Sequence, residues 1–126
     1  MSWDAILNSM LQYPKVTCGC LAGVDGVIWS SSPEFKPSQE DILKIVKVAS
    51  SGQNESVSIS GKKLITVRCG GNELSATGSE YAIHARVLTK AVVIAANSDP
   101  KNNPGVNCLL STASCATANH LASSGF

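Results

Sequence analysis

Flat rings are scarce in this sequence, and they stand where a ring can meet a ligand as readily as a core. The 126 residues hold two tryptophans, two tyrosines and two phenylalanines. Trp3 lies at the N-terminal end, Trp29 closes an early strand-like run, and His120, Leu121 and Phe126 gather at the C-terminal end. Chain ends ordinarily fray, so large rings placed there need a neighbour or a ligand to hold them. An indole or imidazole combines an apolar face with an N–H that can reach a carbonyl, the pair of features a groove for proline-rich peptide uses. A polyproline II segment has about three residues per turn and no internal hydrogen bonds, which leaves its carbonyls open to such donors. The structural alternative is that Trp3, Trp29 and Phe126 simply dock on the core and His120 is a surface residue of a helix.

The other groups with chemistry of their own are cysteines and histidines. Cys18, Cys20, Cys69, Cys108 and Cys115 are odd in number and include no Cys-x-x-Cys pair. That pattern disfavours both a disulfide framework and a zinc ribbon, and it fits a reducing compartment. Cys18 and Cys20 share one face of a strand-like segment, where a buried thiol behaves as a small apolar group. Cys115 and His120 are spaced to fall on different faces of a helix. A Cys/His hydrolase would need Cys18, Cys20 or Cys69 beside His84 or His120. Gly70-Gly71 does not continue into a phosphate loop, Gly23-Val24-Asp25-Gly26 lacks dinucleotide-binding spacing, and no His-Glu-x-x-His occurs. The sequence therefore reads as a binding protein without metal or cofactor, not as a catalyst.

Composition sets the outer limits. Ten Lys and Arg against nine Asp and Glu give a net charge of +1, so no basic field marks a nucleic-acid binder. There is no basic leader followed by an apolar stretch, and no apolar run of roughly 18 residues. A soluble, intracellular monomer is the expectation, in one domain large enough to bury a core without staples.

The elements that would position these residues form an α+β pattern. A first helix is predicted from Trp3 to about Gln12, capped by Ser2 and ended by Pro14, with Ile6, Met10 and Leu7 or Leu11 on its inner stripe. Strands over 16–22 and 27–30 flank an Asp-Gly turn, a hairpin signal. Ser38 with Asp41 three residues on is a capping-box variant, opening a helix through Ala49 with Ile42, Ile45, Val46 and Ala49 inward. Short strands follow at 57–60, 63–69, 73–77, 81–88 and 91–96. Their turns are too short for parallel neighbours, so the sheet must be antiparallel. A last helix, starting near 104–106 and reaching about Ser124, turns Val106, Leu109, Leu110, Ala113, Thr117 and Leu121 inward. Its many small residues are weak helix formers, so packing has to hold it.

Four segments in order resemble the profilins: Met1-Ser2-Trp3; Gly26-Val27-Ile28-Trp29-Ser30; Gly61-Lys62-Lys63-Leu64-Ile65-Thr66-Val67-Arg68; and His120-Leu121 ahead of a closing aromatic, Phe126. Profilins are small cytoplasmic proteins that bind monomeric actin, proline-rich segments and, in many members, phosphoinositides. The resemblance implies one domain over residues 1–126, with N- and C-terminal helices on one face of a central antiparallel sheet and shorter helices on the other. It places the polyproline groove at Trp3, Ile6, Trp29, His120, Leu121 and Phe126, with the indole N–H groups bonding peptide carbonyls. This chain departs from the family at two of those positions, having Ile6 for an aromatic hydroxyl and Phe126 for a terminal tyrosine. Two missing hydroxyl donors are expected to cost about 1 kcal/mol each in peptide binding.

Matched residue by residue, the family's actin-facing strand falls on Lys63, Ile65, Thr66, Val67 and Arg68, with Glu80 and Ala82 towards the next strand and Thr112 and Ala116 on the last helix. A lysine and an arginine there would steer towards acidic actin. Ser111, Thr112, Cys115 and Ala116 are small and uncharged where profilins make further contacts, which bears on affinity. The cations available to a phosphoinositide headgroup are Lys62, Lys63, Arg68, Arg86, Lys90 and Lys101, dispersed where a lipid patch needs close charges. The implied function is bivalent, with an actin monomer on one face and proline-rich proteins such as filament-elongation factors on another, in the cytoplasm and at the cytoskeleton. The competing class is a small intracellular α/β sensor or scaffold module without actin binding.

Overall fold

A computed structural model describes residues 3–33 and 35–126. Helix α1 (Trp3–Leu11) leads into strands β1 (Cys18–Gly23) and β2 (Ile28–Ser31), then helix α2 (Gln39–Ser51). Strands β3 (Val57–Ile59), β4 (Lys62–Gly70), β5 (Glu73–Thr77), β6 (Ala82–Val87) and β7 (Ala91–Asn97) follow. A 3₁₀ turn (Pro100–Asn102) precedes helix α3 (Asn107–Ser123). The strands form one sheet in the order β2-β1-β7-β6-β5-β4-β3, antiparallel at every pairing. Ser2, assigned above as the first helix cap, lies outside the described residues.

Period-two alternation divides the sheet between two cores. Cys18, Cys20, Ala22, Leu74, Ala76, Ile83, Ala85, Ile94 and Ala96 face α2. Leu21, Ala82, Ala91, Val93 and Ala95 face α1 and α3. Strand β7 is buried along its whole length, which explains why it reads as a continuous apolar run. The terminal helices share one face as expected. Among the described residues the other face carries one α-helix, α2, 13 residues long against 9 for α1, where shorter helices were expected.

Local chemistry sets the element ends. Ser38 Oγ accepts from the Asp41 amide at 3.1 Å and Asp41 Oδ2 accepts from the Ser38 amide at 2.9 Å, which closes the capping box read from the sequence. Asp41 Oδ2 also accepts from the Ser60 amide at 2.9 Å, tying α2 to the β3–β4 turn. Gly52 ends α2 at φ 72°, in the left-handed region where glycine carries no side-chain clash. Helix α3 buries Leu110, Ala113, Ser114, Thr117, Ala118 and Leu121. Leu109, placed inward above, is 40 % exposed; one residue before Leu110, it falls about 100° off the buried stripe.

Helix α1 lies close against β1 at Gly19. A Cβ built on Gly19 would lie 2.5 Å from Met10 Cε and 2.8 Å from the Ile94 carbonyl oxygen. Only glycine lets Met10, fully buried, rest directly on the strand. Gly19→Ala is therefore expected to destabilise the protein by about 1–3 kcal/mol through overpacking, read as a lower urea midpoint at an unchanged slope.

Candidate functional site

Helix α1 starts with Trp3, β2 carries Trp29, and Phe126 follows α3, so three elements deliver one ring each. The Trp3 and Trp29 centroids are 4.4 Å apart with planes 30° from parallel. Phe126 stands edge-on to both, at 5.0 Å from Trp3 and 5.9 Å from Trp29. Each ring is half-buried, so the cluster packs its underside and leaves ring surface to solvent. Among the described residues no hydrogen bond occupies either indole N–H. Phe126 is held through its backbone as well: the Lys90 amide donates to its carbonyl at 3.0 Å, and its own amide donates to Leu121 O at 3.1 Å.

Beside the cluster, α1 and α3 diverge over an open hollow of about 370 Å³ lined by Ala5, Ile6, Ser9, Tyr13, Ala116, Thr117 and His120. Ile6 and the exposed His120 both border it. Leu121 does not form a wall. It is fully buried, because its place on α3 continues the inward stripe of Leu110 and Thr117, and it acts as a floor beneath Phe126. Tyr13, Ser9 and Thr117 were missed as lining residues. Ser9 and Tyr13 recur at three and seven positions after Ile6, a helical spacing that could have flagged them.

The second set of residues divides by strand parity. Ile65 and Val67 on β4 are 66 % and 58 % exposed, and Lys63 and Arg68 are exposed beside them. The β4–β5 register shifts between Thr66 and Arg68, which makes Val67 the extra residue of a bulge. Thr66 is no part of that surface: it is buried towards α2, its Oγ1 donating to Glu55 O at 2.6 Å. Ala82 is fully buried under the terminal helices. Glu80 is exposed and pairs with Lys62 at 3.3 Å. Thr112 is exposed on α3, whereas Ala116 turns into the hollow beside Ile6. Of the cations considered for a headgroup, Lys62 and Arg86 already face carboxylates, and Lys90 and Lys101 sit in the β6–β7 turn and the 3₁₀ turn, away from β4 in the sequence of elements.

Between the β5–β6 hairpin and α3 lies a polar cluster that the sequence reading did not assemble. His84 is buried; its Nδ1 is 2.9 Å from Ser75 Oγ and its Nε2 3.3 Å from Glu73 Oε1. Burial pushes the imidazole pKa down against the opposing pull of Glu73, so the ring is held neutral. Burial would raise the Glu73 carboxyl, but hydrogen bonds from His84 and Cys115 and the charge of Arg86 outweigh it and bring it below its usual range. Cys115 Sγ donates to the same Glu73 oxygen at 3.5 Å, and Arg86 reaches it at 3.3 Å. Asn107, in the first turn of α3, donates to Ile83 O at 3.1 Å and to Ser75 Oγ at 3.4 Å, pinning the helix over this cluster. Period two and hairpin pairing place Glu73, Ser75, His84 and Arg86 together; Cys115 comes from a distant helix and left no local signal. Cys18 and Cys20, weighed above as partners for histidine, face α2 instead, and burial pushes the Cys20 thiol up to about 12, keeping it protonated. Among the described residues no helix is long and apolar enough to cross a membrane.

A sheet clasped by its two terminal helices, with a ring cluster where they meet and an exposed apolar strand beyond them, defines a small α+β binding domain. The profilin family model matches residues 1–126. The chain belongs to the profilin family, whose members are known as binding proteins rather than enzymes. It is 29 % identical to a profilin of Drosophila melanogaster over 108 residues, 79 % of this chain and 82 % of that one. It is 29 % identical to profilin-1 of Entamoeba histolytica over 133 aligned positions spanning both chains entirely. Acanthamoeba castellanii profilin IA superimposes with a TM-score of 0.83 at 16 % identity, over 99 % of this chain and all of that one. LokiProfilin2, solved with rabbit actin, gives 0.70 at 17 % identity, with 94 % and 98 % covered. Mouse profilin IIa, solved with a double repeat from the FH1 domain of mDia1, gives 0.72 at 14 % identity over both whole chains. At these identities the structural likenesses establish the shared fold.

Removing Phe126 should strip an edge-on partner from both indoles. Because the ring is half-buried, the loss is expected to be about 1–2 kcal/mol of stability, with a matching change in the near-ultraviolet circular dichroism of the tryptophans.

Proposed function

We propose that this chain binds actin monomers and proline-rich segments through separate faces and so regulates filament assembly in the cytoplasm, as a binding protein without catalytic activity. The observation that carries the proposal is the Trp3–Trp29–Phe126 cluster, standing where α1 meets the end of α3 in a chain of this family. A polyproline II ligand laid across exposed indole faces loses little conformational entropy, and its carbonyls can take the indole N–H groups that have no acceptor among the described residues. The aromatic hydroxyl that the family has in place of Ile6 is lacking, yet Tyr13 brings a phenol to the border of the adjoining hollow. The co-structure of mouse profilin IIa with an FH1 repeat supports this assignment by analogy.

For actin, the supporting surface is β4, where Ile65 and Val67 offer apolar area and Lys63 and Arg68 frame it with positive charge. Exposed aliphatic side chains of this size in a cationic setting suit an acidic partner better than solvent. LokiProfilin2 and its rabbit actin complex supply the analogy. Thr112 extends the surface on α3. With both faces engaged, one molecule would hold an actin monomer near a proline-rich elongation factor and raise its local concentration.

Fluorescence titration with a peptide of about ten prolines is expected to give a saturable change in indole emission that Trp3→Ala abolishes. No response at millimolar peptide would remove the proline-binding assignment. For the second face, Val67→Asp is expected to weaken actin-monomer binding by at least about tenfold, a cost of roughly 1.4 kcal/mol, while leaving the peptide titration unchanged. An actin affinity equal to that of the parent protein would exclude β4 from the interface.

A further inference from the structure

We propose that Glu73, His84 and Cys115 form a binding site for a divalent cation of the zinc class. The three side chains come from β5, β6 and α3, and their donor atoms all lie within 4.8 Å of one another. Tetrahedral zinc with oxygen, nitrogen and sulfur ligands sets its donors about 3.3–3.7 Å apart. The Glu73–His84 and Glu73–Cys115 separations, 3.3 and 3.5 Å, already fall in that range. The His84 and Cys115 donors lie no more than 4.8 Å apart, so a closure of at most about 1 Å completes three corners, and a water from the half-exposed side supplies the fourth, the pattern of an open zinc site.

The surroundings are those of a supported ligand set. A coordinating imidazole ordinarily gives its second ring nitrogen to a fixed acceptor; His84 Nδ1 is 2.9 Å from Ser75 Oγ, which Asn107 holds in turn. Without an ion, the imidazole, the thiol and the Arg86 guanidinium all crowd one carboxylate oxygen. With an ion, the imidazole proton moves from Nε2 to Nδ1, where Ser75 accepts it. The Cys115 thiol proton is released to solvent, and carboxylate and thiolate together neutralise the dication. Arg86, 3.3 Å from Glu73 Oε1 and 3.9 Å from Cys115 Sγ, is the cation that must give way. Its side chain is about one-third exposed and can turn to solvent. A mixed nitrogen, oxygen and sulfur donor set selects zinc or cobalt over magnesium and calcium, which take oxygen ligands. None of this depends on the binding functions proposed above.

Cobalt(II) is a direct probe, because thiolate ligation produces a near-ultraviolet charge-transfer band. Titrating the full chain should give one equivalent of saturable binding with that band, displaced by zinc(II). The band should vanish in Cys115→Ser and in His84→Gln, persist in Cys108→Ser, and need about 10–100-fold more cobalt in Ser75→Ala, where only the imidazole's support is lost. Arg86→Ala should bind cobalt more tightly than the parent protein. Alkylation read by mass spectrometry requires no variant: zinc should protect Cys115 and leave the exposed Cys108 unprotected. A band that follows Cys108 or Cys69, absence of a thiolate band, or equal alkylation of Cys115 with and without zinc would overturn the site.

Discussion

The contact on which the rest depends is the seating of α1 against β1 at Gly19. A strand paired on both sides and buried on both faces has no slack, and any atom beyond hydrogen at this position meets Met10 and the backbone of β7. Because α1 sits this low, its first turn brings Trp3 within stacking distance of Trp29 on the edge strand β2. A ring cluster at the surface is thus set by a backbone approach in the interior. The hollow beside Ile6 lies between residues of α1 and of α3.

The part of the sheet beneath the start of α3 is organised by polar satisfaction. A buried imidazole loses its hydration and must recover it through fixed partners. Ser75 and Glu73 occupy both ring nitrogens, and Asn107 ties the start of α3 to the same strands. Among the described residues no buried side-chain polar atom lacks a partner. Helix α3 is therefore held in two different ways. Its N-terminal turn is fixed by hydrogen bonds, and its C-terminal half by Leu121 and the rings packed over it.

Much of this was legible in the residues. The Ser38–Asp41 box, the Asp-Gly hairpin, the short antiparallel turns and the convergence of Trp3, Trp29 and Phe126 follow from local chemistry and from the order of segments. What escaped had a non-local cause. Thr66 shares the inward parity of Leu64, so matching the whole segment to one surface misplaced it, and it is Arg68 that the bulge at Val67 returns to the exposed side. Leu121 borders a surface aromatic in sequence yet completes the buried stripe of α3. Ala116 was set on the second face, but the crossing of α1 turns it into the hollow. Cys115 joined no motif, because its partners lie on a hairpin some 30 to 40 residues away.

Strand β4 is longer than the partner on its outer side. Strand β3 pairs only with 62–64, so from Ile65 onward no described strand lies beyond it, and two aliphatic side chains stand at an open edge. An edge of this kind is a template for another chain, and flat apolar edges are where aggregation starts. Here the bulge at Val67 breaks the ladder's repeat, and Lys63 and Arg68 place charge beside it. The irregularity that complicates the register thus also works against edge-to-edge pairing with another copy.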